Sequence, residues 1–156
     1  MRMTRTSRYA IRAVVELARH GDQRVSAETL SRELDLPENY LSKTLHALAR
    51  EGILDSNRGP GGGYRLAVPS EELSLMDVIE VFETLDASRE CVLGREECSE
   101  ENPCPVHGEW KEVATPIVKF FRRTTVGEAA GEWVGNSPTA ALDQVPTDAR
   151  RGGDEN

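Results

Sequence analysis

Arg58-Gly59-Pro60-Gly61-Gly62-Gly63-Tyr64 is the stretch on which the reading of the fold turns. Four glycines and a proline in five positions exclude a helix or a central strand. Before it lies Ile53-Leu54-Asp55-Ser56-Asn57, and from Tyr64 runs Tyr64-Arg65-Leu66-Ala67-Val68. Both read as short strands, so the stretch is the tip of a hairpin. A tight turn needs one or two glycines. The surplus suits a backbone that approaches a ligand closely and turns its N–H groups to phosphates. Arg58, at the edge of the tip, is the residue type that enters a narrow minor groove. A flexible tip with an incidental arginine is the plainer alternative.

Upstream, the spacing predicts three helices. Thr6 or Ser7 caps the first, over about 7–20, with Tyr9, Ala13, Val14 and Leu17 on one face and Gly21 as a stop. Ser26 caps a short second helix with Leu30 and Leu34 inward. Asp35-Leu36 is a tight turn, and Pro37 suits the first position of a third helix running to about Glu51. Leu41, Thr44, Leu45 and Leu48 face inward. Asn39, Ser42, Lys43, His46 and Arg50 make an opposite polar stripe. Helix, short helix, turn, helix and hairpin is the order of a winged helix-turn-helix, whose third helix enters the major groove. Its first residues then lie nearest base edges, which favours Asn39, Ser42 and Lys43. A solvated helix face would carry the same stripe.

Downstream, Ser74 with Asp77 opens a fourth helix carrying Leu75, Val78, Ile79, Phe82 and Leu85. A further helix runs from about 106–109 to Arg123, with Trp110, Val113, Ile117, Phe120 and Phe121 apolar. Pro116 should kink or split it. Thr125 and Glu128 form a capping box for a last short helix. From Gly135 the chain is polar and rich in Pro, Asp, Gly and Thr, and reads as a disordered tail. The expected organisation is a DNA-binding domain over 1–70, a cysteine loop with dimerisation helices over 71–134, and the tail over 135–156.

Charge follows this division. The net charge is −8, yet residues 1–66 carry 11 Lys/Arg against 8 Asp/Glu, a net of +3, and the remainder sums to −11. DNA contact is therefore expected through the N-terminal half alone. No stretch has signal-peptide character or approaches a membrane span, so the expected compartment is the cytoplasm, where thiols stay reduced. An odd cysteine count argues against a disulfide framework.

All three cysteines fall in CVLGREECSEENPCPVH, residues 91–107. The spacing is C-x6-C-x5-C, followed by His107. Thiolates are soft ligands that favour zinc, Cu(I) or iron–sulfur clusters. Structural zinc sites pair ligands as C-x2-4-C, which is missing here. Wider spacing suits a larger inorganic core, and Cys104-Pro105 resembles the Cys-Pro of bacterial ferredoxins. Zinc and free thiols remain open on the residues alone, and so does a helix-start role for His107.

Met1-Arg2-Met3-Thr4, Arg8-Tyr9-Ala10, Tyr40-Leu41 and above all the 58–64 stretch resemble the Rrf-two family of bacterial winged-helix regulators, of the iron–sulfur-cluster type. The resemblance covers about residues 1–134. It implies a homodimeric transcription factor bound to a double-stranded DNA operator, with no membrane partner and no small-molecule substrate. It implies DNA contact by Asn39, Ser42, Lys43 and Arg58, and Tyr40, His46, Gly61 and Gly62 are the further expected DNA contacts. The residue types at 39, 42 and 43 depart from those of cluster-bearing members, so the operator sequence does not carry over. It further implies a 2Fe–2S or 4Fe–4S cluster on Cys91, Cys98 and Cys104. Some relatives complete the set with a carboxylate near position 8 of the partner subunit. Arg8 cannot ligate, which points to His107. Trp110, Ile117 and Phe121 are the expected dimer contacts, although packing within one subunit would equally explain them.

The leading expectation is a repressor that senses redox state, nitric oxide or iron supply. A metal-free thiol regulator is the first rival. A cluster carrier or electron-transfer protein is the second, and leaves the glycine-rich tip without a use. No P-loop, nucleotide fingerprint or nucleophile–base set points to an enzyme.

Overall fold

A computed structural model describes residues 3–85, 91–95 and 98–131. The 135–156 segment, expected to be disordered, lies outside them. The chain is mainly helical with one two-stranded hairpin, in the order α1 (Arg5–Arg19), α2 (Ala27–Leu34), α3 (Glu38–Arg50), β1 (Leu54–Asn57), β2 (Gly63–Leu66), α4 (Leu75–Glu80), α5 (His107–Arg123) and α6 (Val126–Ala129).

Side-chain caps set the helix starts. Thr4 accepts from the Ser7 N–H, and Ser26 from the Thr29 N–H. Ser74 with Asp77, and Thr125 with Glu128, form complete capping boxes. Between α2 and α3, Asp35 adopts φ 50°, the sole described non-glycine residue at positive φ. A short polar side chain tolerates that conformation. The Leu36 N–H then reaches the Ser31 carbonyl at 2.9 Å, which makes the expected tight turn. Pro37 occupies the N-cap of α3 without a side-chain hydrogen bond, one residue before the first helical position it was expected to hold.

α1 is the hub. It packs on α2, α3, α4, α6 and β2. Its Ala10, Ala13, Val14 and Leu17 are fully buried, together with Leu30, Leu41, Leu45 and Leu48. Burying each leucine contributes about 1.5–3 kcal/mol.

β1 and β2 pair antiparallel, with Leu54 opposite Leu66 and Asn57 opposite Gly63. Val25 extends the hairpin by one bridge, exchanging two 2.9 Å hydrogen bonds with Tyr64. Gly63 makes this approach possible. Its φ is 136°, and a Cβ there would stand 2.6 Å from the Val25 carbonyl oxygen. At Gly62 a Cβ would stand 2.4 Å from the Asn57 carbonyl oxygen. Part of the glycine surplus is thus a demand of the wing's own backbone.

Two expectations change downstream. α4 stops at Glu80, Phe82 falls in the turn that follows, and Leu85 lies beyond it, still buried. α5 is continuous across Pro116, where a kink or split was expected. The missing N–H deprives only the carbonyl of exposed Glu112, which water can serve. The far end of α5 is tied to the start of α4, which packs on α1. The Leu75 N–H donates to the Thr124 carbonyl at 2.9 Å, and the Val126 N–H to the Leu73 carbonyl at 2.7 Å. A small second core of Met76, Ile79 and Leu85 takes Met3, Ile11, Val118 and Phe121 against it. This is a winged helix-turn-helix with a long second-half helix.

Candidate nucleic-acid interface and thiol site

α3 buries Leu41, Thr44, Leu45 and Leu48 and leaves Asn39, Tyr40, Lys43, His46 and Arg50 exposed, with Ser42 half-buried. Tyr40 is braced from α1, because its ring meets Tyr9 edge-on at 5.5 Å and its hydroxyl meets that of Thr6. His46 leans on the wing. Its ring lies edge-on to Tyr64 at 6.0 Å, with Nδ1 3.4 Å from the Tyr64 hydroxyl. Arg58 and Gly61 are exposed at the wing tip, and Gly62 is half-buried beneath it.

A clasp that the sequence reading missed holds the wing at its base. Arg24 donates to the Asp55 carboxylate at 2.6 Å, to the Asp55 carbonyl at 3.2 Å and to the Gly63 carbonyl at 3.4 Å. Arg65 pairs with the same carboxylate at 3.1 Å. The Arg24 hydrogen bond, reinforced by Arg65, holds the Asp55 carboxyl below its ordinary 3.8. Arg65 lies opposite Asp55 in the hairpin register, which a strand alignment could have revealed. Arg24 carried no local signal.

The second site gathers the cysteines. Cys91, Cys98 and Cys104 place their sulfurs within 4.8 Å of one another. Cys98 and Cys104 are buried, and all three are free thiols. The Cys91 and Cys104 sulfurs are 3.7 Å apart, well beyond a covalent bond of about 2.05 Å. Gly94 turns the loop at φ 73°, and its N–H donates to the Cys91 carbonyl at 2.9 Å. Backbone N–H groups of Arg95 and Leu93 then meet the Cys91 sulfur. With the Arg95 bond the largest cause, they pull this thiol down to about 7. Burial pushes the Cys104 thiol up. Arg95 braces the loop from outside, through 3.2 Å to the Asn102 side-chain oxygen and 3.4 Å to the Pro103 carbonyl.

His107 opens α5 beside the thiols. Its Nδ1 lies 3.2 Å from the Cys98 sulfur and its Nε2 3.2 Å from Glu100 Oε1. Three clustered sulfurs and one adjacent imidazole nitrogen are a donor set that fits an iron–sulfur cluster. Zinc is also chemically compatible. A second group of ligand-type side chains, Glu16, His20 and Glu33, lies between α1 and α2. There Glu16 already pairs with Arg19, and His20 with Glu33.

α5 has two apolar faces. Ala114, Val118 and Phe121 turn to their own subunit, where Phe121 touches both cores. Val106, Trp110, Val113, Ile117 and Phe120 follow a 4-3-4-3 spacing on the adjoining stripe, and four of them are 37–58% exposed. Of the three expected dimer contacts, Trp110 and Ile117 lie on this outer seam and Phe121 on the inner face.

Comparison with known proteins agrees with this layout. The Rrf2 family model, described as an iron-dependent transcriptional regulator, matches residues 3–132. The transcriptional regulator IscR of Vibrio cholerae is 34% identical over 130 residues, covering 82% of this chain and 74% of IscR. IscR of Pectobacterium atrosepticum is 32% identical over 153 residues, covering 97% and 90%. The crystal structure of the oxidized form of Staphylococcus aureus CymR superposes with a TM-score of 0.68 at 27% identity, covering 87% of this chain and all of that one. These relatives are regulators rather than enzymes. Among the described residues no helix is long and apolar enough to cross a membrane. The chain belongs to the Rrf2 family of transcriptional regulators.

Proposed function

We propose that this regulator carries an iron–sulfur cluster on Cys91, Cys98, Cys104 and His107, and that the state of this site sets its affinity for a DNA operator. The observation that carries the reading is the convergence of three thiols, with a His107 nitrogen beside Cys98, at the start of α5. When bound, such a cluster supplies a centre that responds to oxidants, nitric oxide or iron supply. The chain's own residues do the rest. Cys98 on the loop meets His107 in the first turn of α5. α5 runs from there to Arg123, and the next carbonyl, of Thr124, is bonded to the start of α4, which packs on α1. A change of order at His107 is thereby transmitted to the reading head.

In this reading the outer seam of α5 pairs with a second copy, as its 4-3 spacing favours. Two recognition helices then face successive major grooves. Asn39, Ser42 and Lys43 reach base edges, with Tyr40 and His46 beside them. Arg58 enters the minor groove with the Gly61–Gly62 backbone against phosphate. The domain limits at 70 and 134 are working boundaries of the same proposal.

Anaerobic reconstitution with iron and sulfide tests it. Wild-type protein should turn brown and hold iron and acid-labile sulfide, and Cys98→Ala should not. A colourless chain with three titratable thiols would instead favour a metal-free thiol switch. That second reading is supported by the activated Cys91 thiol 3.7 Å from Cys104 and by the likeness to an oxidized CymR.

A further inference from the structure

We propose that Glu100 and Lys111 are positioning residues that present His107 to the cysteines through Nδ1. The proposal rests on the cluster reading above and adds the identity of the ligating atom. His107 Nε2 is 3.2 Å from Glu100 Oε1. A carboxylate only accepts, so this hydrogen bond requires the proton on Nε2. In the neutral ring that leaves the Nδ1 lone pair free, and Nδ1 is the atom 3.2 Å from the Cys98 sulfur. The tautomer and the direction of the ring are thus set by one contact on its far side, the usual arrangement behind a metal-bound histidine.

Glu100 needs an anchor of its own, being two-thirds exposed on a loop. Lys111 provides it by pairing with the same Oε1. Lys111 stands four residues after His107, one turn along α5, so both side chains rise from one helix face to meet the carboxylate. On the loop side, the Asn102 N–H donates to the Ser99 hydroxyl at 3.3 Å, closing a turn around Glu100. The His107 side chain is only 11% exposed, so it has little freedom to turn over. The sequence reading gave neither Glu100 nor Lys111 a role.

Two measurements on the full chain test this. In reduced, metal-free protein, side-chain nitrogen NMR of the three histidines should show His107 as the Nε2–H tautomer in wild type. Glu100→Ala should give a tautomer mixture. In reconstituted protein, loss of the cluster to a chelator should accelerate about 10- to 100-fold in Glu100→Ala. Glu100→Gln should recover most of the wild-type rate, because its amide oxygen still accepts from Nε2–H. Lys111→Met should fall between. In a His107→Ala background, Glu100→Ala should add nothing. A wild-type His107 protonated on Nδ1, or an equally large Glu100→Ala effect without His107, overturns the proposal. A Nε2–H tautomer in a chain that takes up no iron or sulfide would sink the cluster reading while upholding the orientation by Glu100.

Discussion

Cys98 and His107 meet across the start of α5, with sulfur and Nδ1 3.2 Å apart. One partner belongs to the loop and the other to the helix whose far end is bonded to the start of α4, which packs on α1. Any group that binds both therefore couples the loop to the long helix. The consequences can be tested part by part.

Arg58 stands at the exposed wing tip. Arg58→Ala should weaken operator binding by about 1–3 kcal/mol and leave the visible spectrum of reconstituted protein unchanged. Fluorescence anisotropy with a labelled duplex and an absorption scan of the same sample check both halves. Loss of colour in this variant would show that the two sites are not separable.

Asp55 joins Arg24 and Arg65 at the base of the wing. Its carboxyl is held below its ordinary 3.8, so the folded state binds this proton less readily than the unfolded chain. The stabilisation is fully present above about pH 4 and is lost as pH falls through the lower folded value. Asp55→Asn should lower Tm at pH 7, and the gap to wild type should close as the pH falls below 3.8. A gap independent of pH would deny the clasp its ionic character.

Cys91 is pulled down to about 7 by backbone N–H groups, whereas burial raises Cys104. In reduced, metal-free protein near pH 7, iodoacetamide should modify Cys91 first and Cys104 more slowly. Peptide mass spectrometry reads the order. Cys104 reacting first would contradict the electrostatics of the loop.

Val113 is 58% exposed in the middle of the outer α5 seam. Val113→Glu should convert a dimer to monomers in sedimentation velocity, while circular dichroism retains the helical signal. A dimer that survives this change would place the interface elsewhere.

The reading head was largely legible because its signals are local. Ser26, the Asp35-Leu36 turn and the Leu41–Leu45–Leu48 spacing each specify their element within a few residues. The hairpin was legible from the glycines, although Gly62 and Gly63 also answer to Asn57 and Val25 within the fold. What escaped depends on distant partners. Arg24 meets Asp55 from 31 positions away, and Phe121 is drawn inward by Met76, Ile79 and Leu85. The 4-3 seam from Val106 to Phe120 was present in the spacing, but a single apolar stripe hid its two faces. Around the thiols, C-x6-C-x5-C named the three sulfurs that the fold brings within 4.8 Å of one another. Only the folded loop shows His107 aimed by Glu100.

The most direct measurement is operator affinity of the same preparation before and after the cluster is removed, under anaerobic conditions at fixed salt. If the thiol–imidazole site governs the reading head, the two dissociation constants differ at least tenfold, about 1.4 kcal/mol, and Cys98→Ala matches the cluster-free value. Equal constants for loaded and cluster-free protein would contradict the account.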